Sequence, residues 1–319
     1  PLPQVDKPVI RYIVRPEPAQ AVVRVLADVR LSEHWLYLKE FGLLRSIRSF
    51  VNDAEVPLSA EKIRDILVFT GPPHEGEAKF EYALEVVTEP RPGYRKRLMG
   101  NTGFLLAREG LFLGMDQAET RPVEVQWELP DGWSLAWIRQ SRMPFHETQK
   151  RLWVAGRIAV AGEFAVGDNR LQYALFEGAT RVSPPALRAA LEGLLSRMGR
   201  DAGPLPAAEL GIAVLPRGSL GGGTALGFDL AAEDSLATII HEALHWWTNP
   251  HAPTWFREGV HSYLAIKLMA LSGAITAEEF RAGIQEFYLE HQRVIKREGR
   301  LLSLADSERE RNRGTGGGD

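Results

Sequence analysis

One short stretch constrains this chain more than any other: Thr238-Ile239-Ile240-His241-Glu242-Ala243-Leu244-His245-Trp246-Trp247. Its apolar residues Ile239, Ile240, Ala243, Leu244 and Trp247 fall at helical spacing, which predicts a helix with one buried face. Asp234 and Ser235 stand where the cap of that helix belongs. Away from the apolar stripe, His241 and His245 are four residues apart, one turn, so both imidazoles project the same way. A helix of this kind lies on a core and offers two ring nitrogens to a common point. Two imidazoles so spaced supply two of the three protein ligands of a catalytic zinc, and Glu242 is placed to activate water.

A third ligand is needed, and the sequence offers one. Twelve residues separate His245 from Glu258, which sits in Trp255-Phe256-Arg257-Glu258-Gly259-Val260-His261-Ser262-Tyr263 at the start of a second helical pattern. A carboxylate on a second helix completes three protein donors while leaving one position open. The chain has no Cys, so any metal must be held by His and carboxylate, and a His/His/Glu set favours zinc over harder cations. His261, three residues after Glu258, falls near the ligand face and is a candidate to support a ligand by hydrogen bonding. The segment from Thr248 to Thr254, with two prolines, reads as a compact turn in which Thr254 caps the second helix. Along that helix Val260, Leu264, Ile266 and Leu268 are the expected core, and Thr276 to Arg297 forms a third, amphipathic helix with Phe280, Ile284, Phe287 and Ile295. Tyr288 and His291 on it are candidate donors to an oxyanion. The isolated His34, His74 and His146 are read as structural or exposed.

The first half has a different texture. Val23, Val25, Ala27, Val29 and Leu31 alternate with polar residues as in a half-buried strand, and so do Phe80, Tyr82, Leu84 and Val86, then Val123, Val125, Trp127 and Leu129. Pro130-Asp131-Gly132 follows as a turn. Residues 1–175 are therefore expected to be a β domain, sandwich or saddle-like, with the charge run Arg91, Arg95, Lys96, Arg97 on a solvated loop. From 176 to 319 helices dominate. Ser183-Pro184-Pro185 opens one, carrying Leu187, Leu191, Leu194, Leu195 and Met198, and Ile212 to Leu215 is a short strand.

Between that strand and the histidine helix lies a glycine cluster, Gly218 to Gly227. No Lys-Ser or Lys-Thr follows it, which argues against a phosphate cradle. A strand edge that lets another backbone approach is the better reading, with Gly221, Gly222, Gly223, Thr224 and Ala225 holding an extended peptide; a flexible loop is the alternative. The net charge of −3 argues against nucleic-acid or anionic-membrane partners, and no apolar run is long enough to be a transmembrane segment. The chain starts at Pro1 without Met, which suggests removal of an upstream segment such as an export signal, and the tail from Ser307 to Asp319 reads as disordered or cut short. Oligomeric state is open.

Taken together these residues resemble the glycyl aminopeptidase family of zinc metallopeptidases, within the gluzincin group that also holds thermolysin and aminopeptidase N. His241-Glu242-x-x-His245, Trp255-Phe256-x-Glu258-Gly259 and Ser262-Tyr263 resemble its metal motifs. Tyr12 to Leu31, Asn101-Thr102-Gly103-Phe104 and Pro130-Asp131-Gly132-Trp133 look like pieces of its N-terminal domain. The resemblance implies an α+β protein, with an all-β domain followed by a thermolysin-like, mainly helical zinc-peptidase domain with a small sheet. It also implies Zn2+ as cofactor, a peptide or protein substrate, and hydrolysis with Glu242 as general base.

Three features depart from the family's pattern. The interval between His245 and Glu258 is short, Gly222 to Leu226 holds no carboxylate to bind a substrate amine, and the chain ends at Asp319, before the segment in which the family carries a transition-state tyrosine. Two alternatives therefore stand beside an aminopeptidase: an endopeptidase, which has no free amine to bind, and a non-catalytic scaffold of peptidase fold that binds zinc or peptides.

Overall fold

The computed structural model describes residues 10–30, 37–40, 44–63, 66–72, 77–87, 97–101, 103–108, 111–112, 114–115, 121–137, 142–166, 169–201, 203, 209–217, 220–224, 227–247, 253 and 256–298. Two compact units emerge: Pro1–Ala161 with Gly222–Asp229, and Gly162–Gly221 with Leu230–Asp319. The strands begin with β1 (Ile10–Glu17), β2 (Val22–Arg30), β3 (Tyr37–Glu40), β4 (Leu44–Val51), β5 (Ala54–Val56), β6 (Ser59–Ile63), β7 (Ile66–Thr70) and β8 (Glu77–Glu85). They continue through β9 (Arg97–Asn101), β10 (Phe104–Arg108), β11 (Gly114–Met115), β12 (Pro122–Trp127), β13 (Ser134–Leu135) and β14 (Arg142–Pro144). A short helix α1 (Phe145–Lys150) precedes β15 (Trp153–Gly156), β16 (Ile158–Val166) and β17 (Asn169–Phe176). Then come α2 (Pro184–Asp201), β18 (Glu209–Leu215), β19 (Leu220–Thr224), β20 (Gly227–Glu233), α3 (Leu236–Leu244), α4 (His261–Leu271) and α5 (Ala277–Glu298).

The first unit is built on a seven-stranded sheet in the order β14-β12-β1-β2-β8-β4-β5, with four-stranded sheets β13-β15-β10-β9 and β11-β3-β7-β6. Its alternating residues behave as the sequence predicts. Tyr12 stands opposite Ala27 across β1 and β2, Val25 opposite Tyr82 across β2 and β8, and Tyr12 opposite Val125 across β1 and β12. All of them are buried. The ring of Tyr12 tilts against Phe112 at 4.7 Å, and the Tyr82 hydroxyl donates to the Leu111 carbonyl at 3.1 Å, which satisfies the polar end of the Tyr82 ring. On the other face, ion pairs such as Arg11–Glu124 and Arg48–Glu81 are exposed, and each contributes about 0–1 kcal/mol. The buried face therefore holds this sheet. The turn after β12 is of type II: the Trp133 N–H donates to Pro130 O at 3.0 Å and Gly132 has φ 77°, a value that favours glycine. Gly156 is obligatory for another reason, since a Cβ there would fall 2.7 Å from the Phe104 Cα of the neighbouring strand. Arg91, Arg95 and Lys96 lie outside the described residues, and Arg97 opens β9 instead of sitting on a loop.

In the second unit β17 and β18 pair in parallel, so the chain between them must cross over, and α2 makes that crossover. Leu171, Leu175, Ile212, Val214 and Leu215 are buried almost completely, as expected of strands covered on both faces. Leu187, Leu191, Leu194 and Leu195 of α2 are buried too, at the positions that the helical spacing predicts, with Met198 half-buried. A five-stranded sheet, not confined to this unit, has the order β16-β17-β18-β20-β19, with the glycine-rich β19 as its last strand. Thr276 and Glu279 form a capping box at the start of α5: the Thr276 N–H donates to the Glu279 carboxylate at 2.7 Å and the Glu279 N–H donates to Thr276 Oγ1 at 3.1 Å. The described part of the molecule is a mixed α+β fold, richer in strands than helices, and no helix among the described residues is long and apolar enough to cross a membrane.

Candidate metal centre

The site begins with how α3 is held. Ser235 is its N-cap, extended in backbone, with its hydroxyl facing the Thr238 N–H at 3.5 Å. Asp234, the other residue read as a cap, does something different. Its buried carboxylate accepts the N–H groups of Thr180, Arg181 and Val182, at 2.5, 2.6 and 2.9 Å, and so ties the segment before α2 to the start of α3. Ile239, Ile240, Ala243 and Leu244 are buried at no more than 1% exposure, which fixes the rotation of α3 about its axis.

After Leu244 the chain tightens into a 3₁₀ turn, His245–Trp247. A 3₁₀ turn has three residues per turn, so the buried stripe continues at Trp246 and not at Trp247 as the α-helical spacing predicts. Trp247 is half-buried, and its Nε1–H donates to the Gly203 carbonyl at 3.0 Å, anchoring this end of the helix. The rings of His241 and His245 stand 5.3 Å apart, nearly perpendicular.

Glu258 reaches the same point from the next element. Phe256–Val260 is a π-helical turn leading into α4, a distortion that recurs at functional sites. Glu258 Oε2 lies 3.2 Å from His241 Nε2 and 4.0 Å from His245 Nε2. With metal–donor bonds of about 2.0–2.1 Å, donors at the corners of a tetrahedron stand about 3.3 Å apart, so the Glu258 oxygen lies within about an ångström of the spacing that a shared zinc needs from each histidine. Hydrogen bonding sharpens the point. Ser262 Oγ donates its one proton to the Glu258 carbonyl at 2.7 Å, so it can only accept from His241 Nδ1–H, 3.1 Å away. A neutral His241 then carries a lone pair on Nε2, facing a carboxylate oxygen. A positive charge between these two atoms, a proton or a metal ion, satisfies that contact, and the donor set suits zinc.

Ser262 enters the sequence reading only through the metal-motif resemblance; its role depends on a neighbour twenty-one residues away. His261 is the residue expected near the ligand face. It is buried, its ring meets that of His245 edge-on at 4.3 Å, and ligating nitrogens of His241, His245 and His261 all lie within 4.8 Å of one another. The buried face of α4 is His261, Ala265, Leu268 and Met269; Val260, Leu264 and Ile266, expected in the core with Leu268, are only half-buried. The π turn shifts the phase of the helix relative to a uniform 3.6-residue repeat.

Glu242 lies on α3 and is half-buried. Gly221, Gly222, Gly223 and Thr224 are in β19, while Ala225 lies outside the described residues, as do Thr254, His34, His74 and the side chain of His291. Tyr288 is exposed on α5, and His146 is a surface residue 3.3 Å from Glu147.

No protein-family model and no curated protein sequence matches the chain. Solved structures do. An aminopeptidase N family protein from Idiomarina loihiensis superposes with a TM-score of 0.65 at 14% identity over 85% of this chain, which spans 56% of the length of that protein. A variant of an M1 zinc metallopeptidase from Deinococcus radiodurans, bound to a Tyr-Ser-Ala substrate, gives 0.51 at 16% identity, covering 91% of this chain and 76% of its own. The chain is thus similar in fold, across most of its length, to zinc aminopeptidases of the gluzincin kind.

Proposed function

We propose that the protein is a zinc-dependent peptidase, with His241, His245 and Glu258 as metal ligands and Glu242 as general base. The observation that carries this reading is the convergence of three donors of the right chemistry: Glu258 Oε2 lies 3.2 and 4.0 Å from the two histidine Nε2 atoms. Zinc held there supplies a Lewis acid for the scissile carbonyl and lowers the pKa of water. Glu242, one residue after His241 on the same helix, takes the proton of the attacking water and delivers it to the leaving amine. His241 is held in one tautomer by Ser262, which keeps its Nε2 lone pair directed at the metal. The β19 edge, Gly221 to Thr224 with Ala225 beyond it, aligns an extended peptide by main-chain hydrogen bonds. In this reading 1–175 is the accompanying β domain and 176–319 carries the chemistry, with specificity of the glycyl aminopeptidase type. Support for peptide as substrate comes from the Deinococcus relative in fold, which holds a tripeptide.

A digest of mixed peptides, half with free and half with acetylated N-termini, tests the reading with Glu242→Gln as the control. Cleavage confined to free N-termini, abolished in Glu242→Gln while zinc remains bound, is the expected result. Internal cleavage of acetylated peptides makes the protein an endopeptidase. Zinc binding without any cleavage, in a parent protein shown to be folded, overturns the peptidase in favour of a scaffold.

A further inference from the structure

We propose that two copies of this chain associate through the outer edge of β16, each strand pairing with its own two-fold copy. β16, nine residues long, ends the five-stranded sheet, and among the described residues only β17 pairs with it. At about 3.4 Å per residue it presents an edge of about 30 Å. An edge of that length is a template for another strand unless it is shortened, charged or interrupted by proline. Other end strands of the described sheets carry such protection. β5 has three residues, β11 and β13 two each, and β14 three that include Arg142 and Pro144. β6 sets Glu61 beside Lys62, and β9 opens on Arg97. β19 is the edge assigned above to a peptide. β16 runs from Ile158 to Val166 with one charge, Glu163, and no proline.

The middle of this strand is accessible. Ala159, Val160 and Ala161 are exposed, and Val160 remains 42% exposed although it shares a strand face with the buried Phe164. A valine left bare on that face is what a neighbouring strand covers. The strand is also complementary to itself. Two copies related by a two-fold axis run antiparallel, and every contact between them occurs twice. A register centred on Val160 puts this residue against its own copy, and it puts Arg157 of each protomer opposite Glu163 of the other. Both are exposed and both lie on one strand face, six residues apart. Glu163 already bridges Arg170 of β17, but these side chains are 55% and 57% exposed, so that pair contributes little, and a carboxylate can accept from a second guanidinium. Charge and shape at this edge therefore fit a second copy of the same strand.

Sedimentation equilibrium between about 1 and 200 µM protein tests this, with circular dichroism confirming that each variant is folded. The parent is expected to form dimers in that range. Val160→Lys sets two ammonium groups against each other at the axis, and Glu163→Arg or Arg157→Glu sets like charges opposite each other at both ends of the pairing. Each variant is expected to raise the dimer dissociation constant about tenfold or more. An equimolar mixture of Glu163→Arg and Arg157→Glu again places opposite charges at every facing pair, and it should associate about as tightly as the parent. A parent that stays monomeric throughout overturns the proposal. So does a dimer that Val160→Lys and Glu163→Arg leave intact, because the contact then lies elsewhere. A mixture no tighter than the separate variants overturns the pairing of Arg157 with Glu163.

Discussion

Replacing Ser262 by alanine removes one oxygen and tests how His241 is aimed. That oxygen accepts from His241 Nδ1–H at 3.1 Å and donates to the Glu258 carbonyl at 2.7 Å, so it links a proposed ligand to the backbone of another. In Ser262→Ala the imidazole is free to turn and to exchange tautomers, and the tautomer with its proton on Nε2 cannot bind metal. Partners of ligating histidines typically contribute about 10- to 100-fold in metal affinity, or about 1.4–2.7 kcal/mol. Ser262 is half-buried on the first turn of α4, and alanine is the better helix former, so the fold is expected to survive. The assay is a zinc competition titration at pH 7, with circular dichroism on the same samples. Ser262→Ala should bind zinc about 10- to 100-fold more weakly, and Ser262→Thr, which restores the hydroxyl, should recover most of the loss. An alanine variant with parental affinity refutes the argument, and so does a threonine variant as weak as alanine.

Two further perturbations probe what supports the site. Asp234→Ala leaves three N–H groups without their carboxylate where the segment before α2 meets α3, and should cost about 1–3 kcal/mol in urea denaturation; a change below about 0.5 kcal/mol would show that the clasp is not needed. Glu279 has its pKa held below the ordinary value of 4.5, first by the Thr276 N–H and then by the Thr276 hydroxyl. Its contribution to the start of α5 is therefore present above the unfolded value and is lost as the pH falls through the lower folded one. Glu279→Gln should be less stable than the parent at pH 7, with the gap in thermal midpoint closing in acid, and a gap that persists at low pH would contradict this.

Much of the fold is legible in the chain because it depends on periods that a local segment enforces. Strands with a side-chain period of two put Val23, Val25, Ala27 and Val29 on one face whatever lies opposite, and all four are buried. The same holds for Leu187, Leu191, Leu194 and Leu195 on α2 and for the stripe of α3. What local periods miss is any change of phase. The 3₁₀ turn at His245–Trp247 brings Trp246 inside, and the π turn at Phe256–Val260 moves the buried face of α4 to His261, Ala265, Leu268 and Met269.

By itself, then, the sequence determined the donors that this protein offers. Four-residue spacing puts His241 and His245 on one face of any helix they occupy, and the absence of Cys restricts metal binding to nitrogen and oxygen. Tertiary structure alone decided which groups meet them. Glu258 arrives within 4.0 Å of both because a π turn orients it, Ser262 finds His241 because α3 and α4 pack together, and Asp234 grips a loop more than fifty residues earlier in the chain. Such meetings depend on helix phase and on the packing of distant segments, and neither is encoded in the spacing of residues along one element.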